Sequence, residues 1–462
     1  MSRDPSAVRS GGLRQSAAPL LVRLWHVLGG PDGRQSAQRA ALIVFLVRAA
    51  SAGILYVSQI VLARWMGAAE YGIYVWMWTL VLVLGGLSHL GVGPSLARLI
   101  PGYREHAQLA LLRGVLTGSR VLALASGMAV ALITYAALHV GAAHLNAAYL
   151  APALLGVACI PLFALTDVQD WLGRAQGWML AALVPPYILR PLLLLGVLAV
   201  GHAAGCNIDA MTAAAAAIVA CAITALAQCL MLQRRITASV PDGARQYAFG
   251  EWIKSSSPLL VLYASELVLQ NADVLVLSAY LPPQTIAMYF AASKTMALVM
   301  FVHYAVGSAV AKDFATLHAR GDKAALAAYA RDAAKWTFWP SLAAAIVILA
   351  LGRPLLWLFS PGFVEAYPVM LALAGGFLLR ASVGPAEFVL NALGEQKQCA
   401  RIAATAAGID ILLALLLVPH FGLTGAALAT AAALAAASLL YARVAWQRLG
   451  LDISIWGAMR RS

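Results

Sequence analysis

Charge is what this 462-residue sequence has least of: Asp, Glu, Lys and Arg make up 11% of it, while 62% is apolar. An ordinary soluble protein carries about 25% charged and about 45–50% apolar residues. With a mean hydropathy of +0.81 the chain cannot cover itself with polar surface, so a soluble enzyme is excluded and a membrane-embedded chain remains. Acidic residues are the scarcer sign, 19 against 32 basic, for a formal net charge of +13. In a soluble domain that excess would point to nucleic acid. Here the basic residues stand between apolar blocks, where they serve as topology signals, and no nucleic-acid partner is expected. Cysteine is sparse too: Cys159, Cys206, Cys221, Cys229 and Cys399 have no metal-ligand spacing. A zinc site and a disulfide framework are both poor readings of them; they read as small core residues. No Ser-His-Asp set, paired-carboxylate site or phosphate-cradling glycine loop is present, and no loop is long enough to house a catalytic domain. Neither an enzyme nor a resident metal or cofactor is expected.

What is present is a succession of apolar blocks. A helical span needs about 20 such residues. Read against the breakers between them, the blocks give six spans near 41–63, 72–96, 111–138, 147–166, 178–200 and 210–232, and six more near 257–280, 286–310, 336–358, 366–391, 400–419 and 422–444. The expected fold is an all-α polytopic membrane protein of about twelve helices, in two six-helix lobes around a central cavity. Its parts are a basic tail (1–39), a first lobe (40–233), a linker (234–256), a second lobe (257–447) and a final tail (448–462). Odd-numbered connections hold few basic residues, such as Arg64 and Arg353. Even-numbered ones hold many, among them Arg98, Arg104, Arg174, Arg234, Arg235, Lys312 and Lys397. The positive-inside rule then places the even connections and both termini in the cytoplasm. The tail is a poor signal peptide, because Arg23 and His26 interrupt its apolar piece. Leu20–Leu28 is read as a short interfacial helix.

The halves echo each other at a nearly constant offset. Leu62–Trp76 corresponds to Leu277–Ala291, and Asp170-Trp171-Leu172-Gly173 to Asn391-Ala392-Leu393-Gly394. Repeats of equal orientation are a transporter architecture in which the substrate site lies between the halves and rocking alternates access to it.

Several full charges fall inside spans. Arg48, Arg120, Arg190, Lys294 and Arg380 each cost about 2.5–3.5 kcal/mol at mid-helix, on the order of 15 kcal/mol together. That cost is tolerated where the side chains face a wet cavity or pair with acids. Arg48, Ser51, Ser58 and Gln59 share a stripe of span 1, and Arg380, Gly384, Glu387 and Asn391 one of span 10. Arg190 lies between Pro186 and Pro191, where a kink is expected. Cations in both halves suit an anionic headgroup, and guanidinium forks grip phosphate oxygens in pairs; the alternative is snorkelling or structural ion pairing. On span 7, Tyr263, Glu266, Gln270 and Asp273 step by three, four and three along one face, and Asp410 lies inside span 11 near Thr405. Glu266 and Asp273, with Asp410, are candidates for coupling to a sodium or proton gradient, against the alternative that they neutralise Lys294 or Arg380. Trp65, Tyr71, Tyr74, Trp76 and Trp78 read as an interfacial aromatic belt. His303 reads as a packed histidine, and His89 sits in a glycine-rich piece where close helix contact explains the glycines.

The run Arg64-Trp65-Met66-Gly67-Ala68-Ala69-Glu70-Tyr71-Gly72-Ile73-Tyr74 resembles the first loop of polysaccharide flippases of the MOP superfamily, the Wzx type. Span 7 with Asp273, the stretch Leu358–Leu371 and the run Phe421-Gly422-Leu423-Thr424-Gly425-Ala426-Ala427 are similar in the same order. The chain departs from that pattern at Val274, where a basic residue is common, and at Pro282-Pro283, where a glycine-bearing turn is usual. The resemblance implies two six-helix lobes, a lateral opening beside spans 1 and 8, and a bacterial inner-membrane location. It also implies transfer of a polyprenyl-diphosphate-linked oligosaccharide from the cytoplasmic to the periplasmic leaflet. Membrane lipids, a glycan polymerase and assembly proteins are the partners it suggests. The alternatives are a drug or metabolite exporter of the same superfamily, a lipid II flippase, or a non-transporting membrane subunit of a glycan assembly complex.

Overall fold

The computed structural model describes residues 33–144 and 146–459; the interfacial helix expected at Leu20–Leu28 lies outside the described residues. The described chain is helical nearly throughout, with no strand. That is the bilayer's constraint, since backbone N–H and C=O groups in hydrocarbon must be paired within their own segment. Nine helices are long and apolar enough to cross a membrane, and the pair Ala147–Gly156 and Cys159–Ala175, bent by 50°, makes a tenth crossing. Two of the nine are too long to be one span. Val47–Glu105 has 59 residues and Gln396–Leu449 has 54, about 80–90 Å of helix against about 30 Å of hydrocarbon. Each is divided by a glycine in non-helical conformation, Gly67 (φ 78°) and Gly422 (φ 56°), a backbone state that costs other residues a Cβ clash. The described chain therefore makes twelve crossings, as the sequence predicts.

Spans 1 and 2 share Gly33–Ser88 on either side of Gly67, and span 2 continues through Val92–Glu105. Span 3 is Leu109–Val140, span 4 the bent pair, and span 6 Ala210–Ser239. Span 5 runs through Met179–Val184, a π turn at Pro185–Leu189 and Arg190–Ala203, so the kink expected around Arg190 takes the form of a widened turn. Span 7 is Phe249–Tyr280, leaving residues 240–248 as the connection between the halves. Span 8 is Pro283–Met296 continued by Met300–Ala319, and span 9 is Lys323–Ala350. Span 10 is Tyr367–Ser382 with Ala386–Ala392, and spans 11 and 12 share Gln396–Leu449.

Contacts among the connections confirm the alternation. At the basic end, Gln246 donates its N–H to the Ala110 carbonyl (3.0 Å) and Trp252 Nε1 to the Tyr103 hydroxyl (2.9 Å). At the opposite end, the Ala210 N–H donates to Glu70 (2.9 Å), and Asp209 caps span 6 by accepting from the Thr212 N–H (2.8 Å). The two turns equated by the repeat meet there. A Cβ on Gly72 would stand 1.8 Å from the Pro283 carbonyl oxygen, so only glycine permits this approach of span 2 to span 8.

Packing is sorted by the lipid rather than by water. Large apolar side chains such as Leu132, Ile133, Val200, Leu226 and Leu439 are exposed on the outside. The interior holds small residues, including Ala213, Ala214, Ala216, Ala217 and Ala220 of span 6, which let backbones approach closely. Cys159, Cys221 and Cys399 are buried among them, whereas Cys206 is exposed in the connection before span 6 and is no core residue. The aromatic belt expected at Tyr71, Tyr74 and Trp76 is corrected: all three are buried in the core. Positions 71, 74 and 78 share one face of a helix that turns toward the centre of the molecule, and Trp76, on the opposite face, packs against Tyr149 of span 4 with ring centroids 4.8 Å apart.

Candidate functional site

A cavity of about 580 Å³ lies between the halves, walled by spans 1, 2, 4, 5 and 6 on one side and by spans 7 and 8 on the other. Three of the candidate cations reach it: Arg48 from span 1, Arg190 from span 5 and Lys294 from span 8. The stripe of span 1 faces it as expected, with Ser51, Ser58 and Gln59 beside Arg48. Five lining residues are also exposed, Arg48 and Leu55 on span 1, Tyr187 on span 5, Gln270 on span 7 and Phe301 on span 8, and they mark where the cavity is open.

Arg190 is held by two rings. Its guanidinium carbon lies 5.2 Å from the ring centroids of both Trp78 (span 2) and Phe163 (span 4). Such contacts contribute about 0.5–2 kcal/mol each, depending on desolvation, and offset part of the cost of a charge in the membrane. The two rings stand at 74° to each other with centroids 6.2 Å apart, so they flank the guanidinium from one side and leave its other side to meet an acceptor. Lys294 is placed in the same manner, its Nζ 5.1 Å from the Phe290 centroid.

Arg380 and Arg120 stand apart from this cavity. Arg380 pairs with Glu387 and lies 6.0 Å from the Tyr441 ring, in a small separate pocket with His303. The continuous polar face expected along span 10 is interrupted, because the chain turns at Gly384 (φ 61°) between the two helices; Arg380 and Glu387 meet across that break. Arg120 donates to the Gln233 side chain (3.1 Å) between spans 3 and 6.

The acids of span 7 also divide. Tyr263 and Gln270 line the cavity, whereas Glu266 and Asp273, three residues on and so about 60° around the helix, turn into the second half. Glu266 faces Glu387 and Arg380. Asp273 accepts from the Tyr289 hydroxyl (2.6 Å) and the Val274 N–H (2.8 Å), with Lys294 as its cationic neighbour. Asp410, buried on span 11, lies beside Asp273 and Thr430.

A second group of polar residues lines the cavity without having been singled out in the sequence as a site. Asp167 and Asp170 of span 4 both face it. Asp170 is paired with Arg174 and accepts from the Tyr187 hydroxyl (3.3 Å). Asp167 accepts from the Tyr263 hydroxyl (3.1 Å) and lies 3.0 Å from His89 Nε2. The signal was legible as a three-residue step between two acids, with an arginine four residues after the second; Asp170 had served only to mark the repeat. The cavity wall thus carries three cations and two carboxylates, and both carboxylates already have partners.

Residues 38–311, more than half of the chain, match the family described as polysaccharide biosynthesis protein. No curated protein matches the sequence. Among solved structures, the fold is similar to an inward-facing multidrug resistance MATE family transporter of the MOP superfamily, with TM-score 0.70 and 13% identity over 88% of this chain and 95% of that one. It is also similar to the lipid II flippase MurJ in an inward closed conformation, with TM-score 0.67 and 14% identity over 87% and 86%. A MOP superfamily transporter from Pyrococcus furiosus Vc1, described as having a binding pocket of reversed polarity, gives TM-score 0.63 and 13% identity over 94% and 97%. At these identities the likeness establishes the MOP fold.

Proposed function

The chain belongs to the polysaccharide biosynthesis protein family, and from that premise we propose that it is a flippase for a polyprenyl-diphosphate-linked oligosaccharide. The observation that carries this reading is the cationic trio Arg48, Arg190 and Lys294 on the wall of one cavity between the halves, with the Arg190 guanidinium set against two rings. A diphosphate has the charge and the oxygen geometry that such a set accepts. The sugars would occupy the cavity while the isoprenoid tail stays in lipid, leaving through the rim between spans 1 and 8. Rocking of the two six-span lobes would turn the site from the cytoplasmic to the periplasmic leaflet of a bacterial inner membrane. Both termini and the basic end would lie in the cytoplasm. Nothing in this cycle makes or breaks a covalent bond in the substrate.

The exporter reading would draw on Asp167 and Asp170 as receptors for an organic cation. Their engagement by His89 and Arg174 argues against it.

The test is the sidedness of the lipid-linked glycan after depletion of the protein from its host, scored with an impermeant sugar-modifying reagent. Accumulation on the cytoplasmic leaflet, reversed by re-expression, is the expected result. An unchanged distribution with intact surface glycan would refute the flippase reading and bring the exporter forward.

A further inference from the structure

Span 2 is interrupted in mid-course at residues 89–91, between the helices ending at Ser88 and beginning at Val92. Pro94 contributes to the break, because it offers the Leu90 carbonyl no N–H and its ring crowds that oxygen. The break contains two consecutive left-handed residues, Leu90 (φ 54°) and Gly91 (φ 75°), and for leucine that conformation is strained. A side chain also holds it: the Gly91 N–H, orphaned by the break, donates to His89 Nδ1 (3.1 Å). His89 is fully buried. Because Nδ1 accepts, the imidazole proton resides on Nε2, the nitrogen that approaches Asp167 Oδ2 at 3.0 Å. The same carboxylate accepts from the Tyr263 hydroxyl of span 7 (3.1 Å), and the Tyr263 ring lies 5.2 Å from the imidazole. The break also brings span 2 close against span 7. A Cβ on Gly91 would stand 2.7 Å from the Ser256 carbonyl oxygen and 2.8 Å from Leu260.

We infer that His89 is a proton-binding site whose charge state sets the shape of the span 2 break and, through it, the apposition of span 2 on span 7. Nδ1 cannot both carry a proton and accept from the Gly91 N–H. A proton therefore binds only the arrangement in which Gly91 has withdrawn, and lowering the pH selects that arrangement by its higher proton affinity. Once the N–H is released, the strained Leu90–Gly91 pair keeps only the bonds from the Leu90 N–H to Leu87 and from the Val92 N–H to His89, and the close seat of Gly91 on Ser256 and Leu260 loosens. Asp167 is the charged group that receives the imidazolium, and Tyr263 is the other titratable group against the ring. Behind Asp167 stand Asp170 and Arg174 of span 4 and Tyr187 of span 5; span 2 places no other charged residue in the break. The proton arrives from water in the cavity, on whose wall Asp167 lies, and departs when the break re-forms. The switch rests on the transport reading only for its purpose, which is to couple lobe movement to a proton gradient.

The test is a distance measurement on the full chain in lipid nanodiscs without substrate. Spin labels would be attached to Glu105→Cys, after the break on span 2, and Lys254→Cys on span 7, in a background with the five native cysteines replaced. When the pH is lowered from about 8 to about 5, the protein with histidine at position 89 is expected to gain a second, longer distance component. His89→Gln, whose amide oxygen can accept from Gly91 but takes no proton, is expected to keep the short component at both pH values. His89→Asn serves the same purpose should the glutamine variant fail to fold. Asp167→Asn is expected to move the midpoint to lower pH, because the charged ring loses its counter-ion. A pH shift that persists in the glutamine or asparagine variant, or its absence with histidine in place, would overturn the inference. Glycan sidedness plays no part in the readout, so a failed flippase reading with an intact pH shift is distinguishable from a failed switch.

Discussion

Replacement of Arg190 is the perturbation that tests the cavity most directly. Its guanidinium carbon lies 5.2 Å from the ring centroids of Trp78 and Phe163, which are themselves 6.2 Å apart and so flank it from one side, leaving the other side to meet the ligand. A hydrogen bond to a charged partner contributes about 1.5–3 kcal/mol, and a two-pronged grip on a phosphate would approach twice that in a dry site. The cavity is open at its rim, so about 2–4 kcal/mol is the appropriate figure for Arg190→Ala, an approximately 30- to 1000-fold loss in transport efficiency. Arg190→Lys keeps a point charge but loses the fork and the planar stacking and should fall between the two. Trp78→Ala keeps the guanidinium and removes one of its two ring contacts, a loss of about 0.5–2 kcal/mol. The assay is the rate at which lipid-linked glycan becomes accessible on the far leaflet of inverted membrane vesicles, normalised to protein abundance and checked by thermal melting in detergent. Arg190→Ala transporting within twofold of wild type at equal abundance would show that the diphosphate is not gripped there. A ranking with lysine below alanine would refute the electrostatic argument altogether.

Two further predictions concern the frame around the cavity. Gly72→Ala should lower the melting midpoint, because its Cβ would meet the Pro283 carbonyl oxygen at 1.8 Å and overpacking of this kind costs about 1–3 kcal/mol. Gly53→Ala, with nothing within 4 Å of its Cβ, should be neutral or slightly stabilising, and equal behaviour of the two would discredit the close approach of spans 2 and 8. Removing one member of the Arg380–Glu387 pair should destabilise by about 3–5 kcal/mol, because an unpaired charge is left inside the second half. The double replacement Arg380→Met with Glu387→Leu should recover most of that loss. A double variant as unstable as the sum of the singles would show that the two side chains do not act as a pair.

What the sequence determined by itself follows from the solvent. A bilayer requires apolar helices of a set length, so the twelve crossings could be counted from apolar blocks, and the sites of the basic connections followed from charge placement alone. The break at Gly67 falls in the connection read between 63 and 72, and that at Gly422 falls on the first residue of the span read as 422–444. Helical periodicity likewise sufficed for the polar stripe of span 1, because residues on one face of one helix stay together wherever that helix packs.

Tertiary structure decided which of those faces meet. Arg48, Arg190 and Lys294 converge on one cavity while Arg380, equally charged and equally deep in a span, is drawn off by Glu387 across a break at Gly384. On span 7 a rotation of about 60° separates Tyr263 and Gln270, on the cavity, from Glu266 and Asp273, which face the second half. The group made by His89, Asp167 and Tyr263 comes from three spans whose approach no local spacing encodes. Local sequence dictates secondary structure and face because backbone geometry is periodic. The cavity is assembled from side chains up to about 250 residues apart, and only the packing of whole helices against one another fixes their distances.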